Sequence, residues 1–283
     1  MIVLHRDGRL VLIDQLDHAA LAGRFAESWG NDTFALPEPL ESVVLAAARH
    51  DEGWRDSDAD VRYDPTRGAP LYFLDVDIRD YVDLYAQGIA RIATLDSYAG
   101  LLVSMHGTGN VCGRWGIQRG IRLSGYDGES WPAVIERYVL EQEAQQARLK
   151  LSLLGLNPLE RRSRFERRLW SNYELMQAWD RLSLFLCRTD PGDTAEADLG
   201  TVPTSLEGSE TATLTVFALG SGKASVDPWP FRSDSLDIAI PVREISDRDY
   251  GSQGEVRAEL ASAPAASVAW TIATSPRPTD RKD

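Results

Sequence analysis

The spacing of apolar residues changes once along this chain, and that change constrains the fold more than any single motif. Up to about residue 188 apolar side chains recur every three or four positions, the period of a helix with one buried face; beyond residue 210 they alternate or cluster in β-branched runs. The helical part opens with a short exception. Residues 2–5 and 9–13 are β-branched and Leu-rich on either side of Arg6-Asp7-Gly8, whose Asp-Gly pair suits a tight turn, so a β-hairpin is expected. Leu16, Ala20, Leu21, Phe25 and Trp29 then predict a first helix ending at Gly30, and Leu40, Val43, Val44, Ala47 and Ala48 a second. The stretch 56–77 has turn composition and predicts a lid-like loop. Stripes over 81–92 and from Leu95 to His106, the latter stopped by Gly107-Thr108-Gly109, precede long helices over about 130–154 and 161–187.

Past Cys187 the acidic, Thr- and Gly-rich segment 191–210 has linker composition. Residues 211–218, 235–245, 255–261 and 266–274 predict strands, GSGKAS at 220–225 a loop, and the charged tail Arg277 to Asp283 a frayed end. The expected fold is mainly α: a helical array over 1–190 with the N-terminal hairpin, a linker over 191–210, and a small antiparallel sheet over 211–283 packed with the hairpin.

Composition excludes several classes. A formal net charge of −13, without a basic run interleaved with aromatics, argues against nucleic-acid binding. The two cysteines, Cys112 and Cys187, are far apart and fit neither a disulfide framework nor a thiolate zinc site, which suits a reducing compartment. Charges at Arg6, Asp7 and Arg9 interrupt any signal core, and no stretch of about 18 apolar residues follows, so a cytoplasmic protein without a membrane span is expected.

Three of the four histidines, His18, His50 and His106, fall on or at the ends of predicted helices. His50-Asp51-Glu52-Gly53 follows an apolar helix, and Asp180 interrupts the apolar run Leu175 to Leu186, where a buried carboxylate needs a partner. Imidazole and carboxylate are the usual ligands where a divalent ion must be held firmly with positions left open. Each of these residues also has an ordinary reading, as a helix-capping pair or as a satisfied core Asp.

A His, then His-Asp-x-Gly at a helix end, then Asp-Arg-Leu-Ser on a late helix resembles the HD-domain superfamily of metal-dependent phosphohydrolases, over about residues 14–188. The resemblance implies His18, His50, Asp51 and Asp180 as ligands of a divalent ion (Mn, Fe, Mg, Zn, Co or Ni), with His106 for a second metal or the substrate. It implies hydrolysis of a small-molecule phosphoester or nucleotide by metal-activated water. Glu52 is then the candidate base, and Arg49, Arg114 and Arg181 are candidates for phosphate contact. A di-iron oxygenase, or a metal-binding or sensing module without catalysis, are the alternatives, and the C-terminal strands offer a surface for a homodimer.

Overall fold

The computed structural model describes residues 1–112, 133–155 and 158–274. Two strands, β1 (Ile2–Arg6) and β2 (Arg9–Ile13), form the expected hairpin, turning through Asp7 and Gly8 at φ 47° and 74°. Helices α1 (Gln15–Ser28) and α2 (Leu40–Ala48) follow. The stretch expected to be a lid-like loop instead folds into α3 (Arg55–Ala59), a two-stranded ribbon of β3 (Tyr63–Asp64) and β4 (Ala69–Pro70), and a 3-10 turn over Phe73–Asp75. Phe73 is buried, edge-on to Trp54 at 6.4 Å between ring centres, which pins this segment to the core.

Helices α4 (Ile78–Leu95) and α5 (Ser97–Val111) are joined at Asp96, whose carboxylate accepts from the Ala99 N–H and caps α5. α5 does not stop at Gly107 as its glycines predict. It runs on to Val111 and is buried from Tyr98 onward, and a Cβ on Gly107 would lie 2.4 Å from the Tyr138 hydroxyl, so this glycine admits a neighbouring helix. That neighbour is α6 (Ala133–Leu154), followed by the 30-residue α7 (Leu159–Arg188).

The expectation of a helical array with a small C-terminal sheet is overturned. The protein is 51% helical, but its strands form one large curled sheet, a half-barrel of seven strands, beside the two-stranded ribbon. The additional strands are β5 (Thr194–Pro203), β6 (Thr211–Gly220), β7 (Lys223–Asp227), β8 (Ser235–Ser246) and β9 (Ala265–Ala273). Their order is β1-β2-β8-β9-β7-β6-β5, antiparallel throughout except for β7 beside β9. The supposed linker supplies the edge strand β5, and β7 begins inside the supposed loop 220–225. Conversely, residues 255–261 are not a strand but part of helix α8 (Gln253–Ser262), whose Ser252 side chain accepts from the Glu255 N–H.

β2 shows why the N-terminal hairpin belongs in this sheet. Val11 and Ile13 face the main core with Phe25, Trp179 and Leu186 of the helices, Trp29 just past α1, and Ile238, Ile240 and Trp270 of the sheet. Leu10 and Leu12 face the other way, into a second cluster with Ile245, Tyr250, Val256 and Leu260 under α8. With both faces of the strand covered, hydrophobic burial locks its register on β8. Among the described residues no helix is long and apolar enough to cross a membrane.

Candidate metal centre

His18 lies on the buried stripe of α1 that continues through Ala22 and Phe25. His50 and Asp51 sit where α2 gives way to a short 3-10 turn, Glu52–Trp54. That turn presses on α4 so closely that a Cβ on Gly53 would stand 2.0 Å from the Leu84 carbonyl oxygen, and one on Gly88 2.4 Å from the Gly53 nitrogen. Glycine at 53 thus sets the approach of the His-Asp pair to the core, beyond ending a helix. His106 and Asn110 share a face of α5, and Gln177, Asp180 and Ser183, three residues apart, form a polar stripe on the otherwise apolar α7.

These stripes meet. His18 Nε2 lies 3.0 Å from Asp180 Oδ1 and 3.3 Å from His50 Nε2, and His50 Nε2 lies 3.4 Å from the same Asp180 oxygen. Asp51 Oδ2 is 3.8 Å from His18 Nε2 and 3.7 Å from His50 Nε2. All four residues are buried, as is His106.

The outward hydrogen bonds say which atoms hold lone pairs. His50 Nδ1 donates to the Ala47 carbonyl oxygen at 2.8 Å, so its proton is on that side. Ser183 Oγ donates to the Asp180 carbonyl and lies 2.7 Å from His18 Nδ1, from which it therefore accepts. With both rings neutral, as metal ligation requires, both Nε2 atoms are acceptors aimed at each other and at carboxylate oxygens; without an ion, a proton on His50 Nε2 takes its place. Tyr85 donates to Asp51 Oδ1 at 2.8 Å and leaves Oδ2 turned toward the two imidazoles. Acceptors facing acceptors repel unless a cation or proton stands among them. Ligands about 2.0–2.2 Å from a tetrahedral ion are separated by roughly 3.3–3.6 Å, close to the spacings found here. The buried groups His18, His50, Asp180 and His50, Asp51, His106 could hold a metal ion.

Titration behaviour follows the same field. Burial pulls the His50 imidazole down, but the facing Asp51 and Asp180 carboxylates override it and raise the group to about 9. Burial opposes ionisation of Asp180, yet His50 and the hydrogen bonds of His18 and His50 hold it well below the usual carboxylate range. Burial, reinforced by the neighbouring His50, lowers His106 to about 4, so that ring is neutral.

The other sequence candidates lie apart. Both Glu52 oxygens are occupied, by Arg55 at 2.6 Å and by Arg49 and Arg55 at 2.9 Å; burial opposes the effect, but these bonds keep the carboxyl below its usual range, unlike a base poised near neutrality. Arg49 is half exposed in that pairing. Arg181 donates to the Gln177 carbonyl and lays its guanidinium on Gly200 of β5, where it braces the sheet against α7 instead of facing the cluster. Arg114 falls outside the described residues, as do Gly113, Trp115 and Gly116. Tyr85, Asn110, Gln177 and Ser183, which orient the candidate ligands, were missed; only the three-residue spacing of Gln177, Asp180 and Ser183 could have pointed to any of them.

Residues 1–247 match the family described as Protein of unknown function (DUF3891). The chain belongs to the DUF3891 family. The match takes in every residue of the cluster and runs on through β5–β8, so it spans the helices α1–α7 and six of the seven strands of the large sheet, ending before α8 and β9. No curated protein and no solved structure matches this DUF3891 chain.

Proposed function

We propose that His18, His50, Asp51 and Asp180 hold a divalent cation and that the centre hydrolyses a phosphoester of a small molecule or nucleotide. The observation that carries the cation is the convergence of two imidazole lone pairs and two carboxylates in a buried space, with each ring proton directed outward to Ala47 or Ser183. The hydrolytic assignment is supported by the order His, His-Asp, Asp along the chain, which is that of the HD-domain phosphohydrolases. A divalent ion bound there lowers the pKa of water and polarises a phosphoryl oxygen. The protein's part is to fix the ligands: Ser183 sets the His18 tautomer, Ala47 that of His50, and Tyr85 the rotation of Asp51. Arg49, next to His50 in the chain and half exposed, would have to leave its bond to Glu52 to contact a phosphate group.

A second reading is favoured by burial: His18, His50, Asp51 and Asp180 are only 1–3% exposed, as in a site whose ion is structural or sensed. Elemental analysis of purified protein, with turnover of p-nitrophenyl phosphate, bis-p-nitrophenyl phosphate and nucleoside monophosphates with and without added Mn²⁺, separates the two. Metal-dependent turnover lost in His50→Ala and Asp51→Ala supports the hydrolase. Retained metal without turnover favours the structural reading, and protein that holds no metal after reconstitution sinks both.

A further inference from the structure

His106 borders the cluster, its ring centre 4.8 Å from that of His50, and it belongs with His50 and Asp51 to the second group of candidate ligands. Both of its nitrogens are already engaged. The Asn110 carboxamide lies 3.1 Å from Nε2 and the Gln177 carboxamide 3.2 Å from Nδ1. A neutral imidazole has one N–H and one lone pair, so one amide donates to it and the other accepts from it.

Tyr85 decides which. Its O–H is spent on Asp51 Oδ1, so toward Asn110, 3.3 Å away, it can only accept. The NH₂ group of Asn110 therefore faces Tyr85 and His106 together, and His106 Nε2 accepts from it. His106 Nδ1 then carries the proton, which the Gln177 carboxamide accepts once its oxygen and nitrogen are exchanged from the placement that sets Gln177 Nε2 3.2 Å from Nδ1, and the exchange gives the otherwise unsatisfied Gln177 Oε1 a partner.

This arrangement limits the number of ions. His50 has a single lone pair, because its Nδ1 is bound to Ala47, and that lone pair faces Asp180 and His18. With His50 committed to the first position and His106 occupied by Asn110, the second position retains only Asp51. We infer that Asn110 holds this centre to one ion by occupying the Nε2 lone pair of His106. The inference rests on the proposed cation site and adds to it the residue that sets its stoichiometry. Asn110 does so as a positioning residue, tied through Tyr85 to the Asp51 ligand itself.

The test is metal stoichiometry, read independently of turnover. Wild-type protein, Asn110→Ala and Asn110→Leu are stripped of metal, titrated with Mn²⁺ by calorimetry, and assayed for bound manganese after gel filtration. One ion per chain is expected in the wild type and two in both variants. Asn110→Leu keeps the side-chain volume while offering neither donor nor acceptor, so it answers the question if Asn110→Ala does not fold. Two ions in the wild type, or one in folded Asn110→Leu, overturns the inference while leaving the cation site standing. A wild type that binds no Mn²⁺ overturns the cation site itself.

Discussion

The Nε2 atoms of His18 on α1 and His50 just past α2, residues 32 apart in the chain, stand 3.3 Å from each other, and both are lone-pair atoms when the rings are neutral with their protons on the outer nitrogens. That contact is unfavourable alone and favourable around a cation. It makes the hydrogen bonds behind the rings part of the site, since they decide which nitrogen faces inward.

Ser183 is the cleanest place to test this. Ser183→Ala removes the acceptor of the His18 Nδ1 proton and leaves the ligand atoms untouched. Loss of such an outer partner typically costs 10–100-fold in metal affinity, with about 1–3 kcal/mol of stability for the orphaned buried donor. Ser171, on the same helix, bonds only back to the Arg167 carbonyl, so Ser171→Ala serves as a control with unchanged affinity. Competition with a chelator dye reads the difference; equal affinities in the two variants would show that Ser183 orients nothing.

Gly53→Ala should be among the most damaging substitutions in the chain. The added methyl would meet the Leu84 carbonyl oxygen at 2.0 Å, and neither the 3-10 turn nor α4 can move without displacing the His-Asp pair. Overpacking of this kind costs about 1–3 kcal/mol and sometimes more, and here the contact is backbone on both sides. Urea unfolding should show a loss of about 3 kcal/mol or more, together with weakened metal binding. A fully stable Gly53→Ala would mean that the close approach of α4 is not required.

How much of this could be read beforehand depended on whether a residue's partners were local. His18, His50, Asp51, His106 and Asp180 were legible because charged or imidazole groups on apolar helix faces need an explanation. Ser183 and Tyr85 carry no such signal; serine and tyrosine are common on helices, and their roles depend on contacts 165 and 34 residues away. In the fold, β5 reads as a linker because residues 194–198 are mostly polar or small and exposed, as suits an edge strand that must not pair further. α8 reads as a strand because Val256 and Leu260 sit at i and i+4, with Ala258 between them giving a false period of two. The Ser252-Gln253-Gly254-Glu255 capping signature was the better guide.

The docking of α8 makes a pH prediction. Glu259 accepts from the Ser246 N–H at 2.6 Å, and this bond, with further help from Tyr250 and Arg248, lowers its carboxyl to about 2. A depressed carboxylate stabilises the fold above its unfolded value of about 4.3 and loses that contribution as pH falls toward the folded value. Glu259→Gln should therefore melt below wild type at pH 7, and the gap should close as pH falls from about 4 toward 2. A gap that does not change with pH would assign the effect to packing instead of charge.

Metal removal should be visible in stability, because a cation that binds only the assembled cluster stabilises the folded state by mass action. At a free metal concentration one hundred times Kd the gain is about 2.7 kcal/mol, on the order of 5 °C or more in melting temperature for a chain of this size. Stripped protein should melt correspondingly lower and recover on adding Mn²⁺. The response should disappear in Asp180→Asn, which keeps the side-chain volume but removes the charge whose Oδ1 faces both imidazoles. Asp180→Asn does more than delete a ligand: it removes part of the carboxylate pull that raises His50 against burial, so at pH values below about 9 the metal-free variant should also be less stable than metal-free wild type. The discriminating quantity is the metal-induced shift, and an equal shift in wild type and Asp180→Asn would place the ion elsewhere.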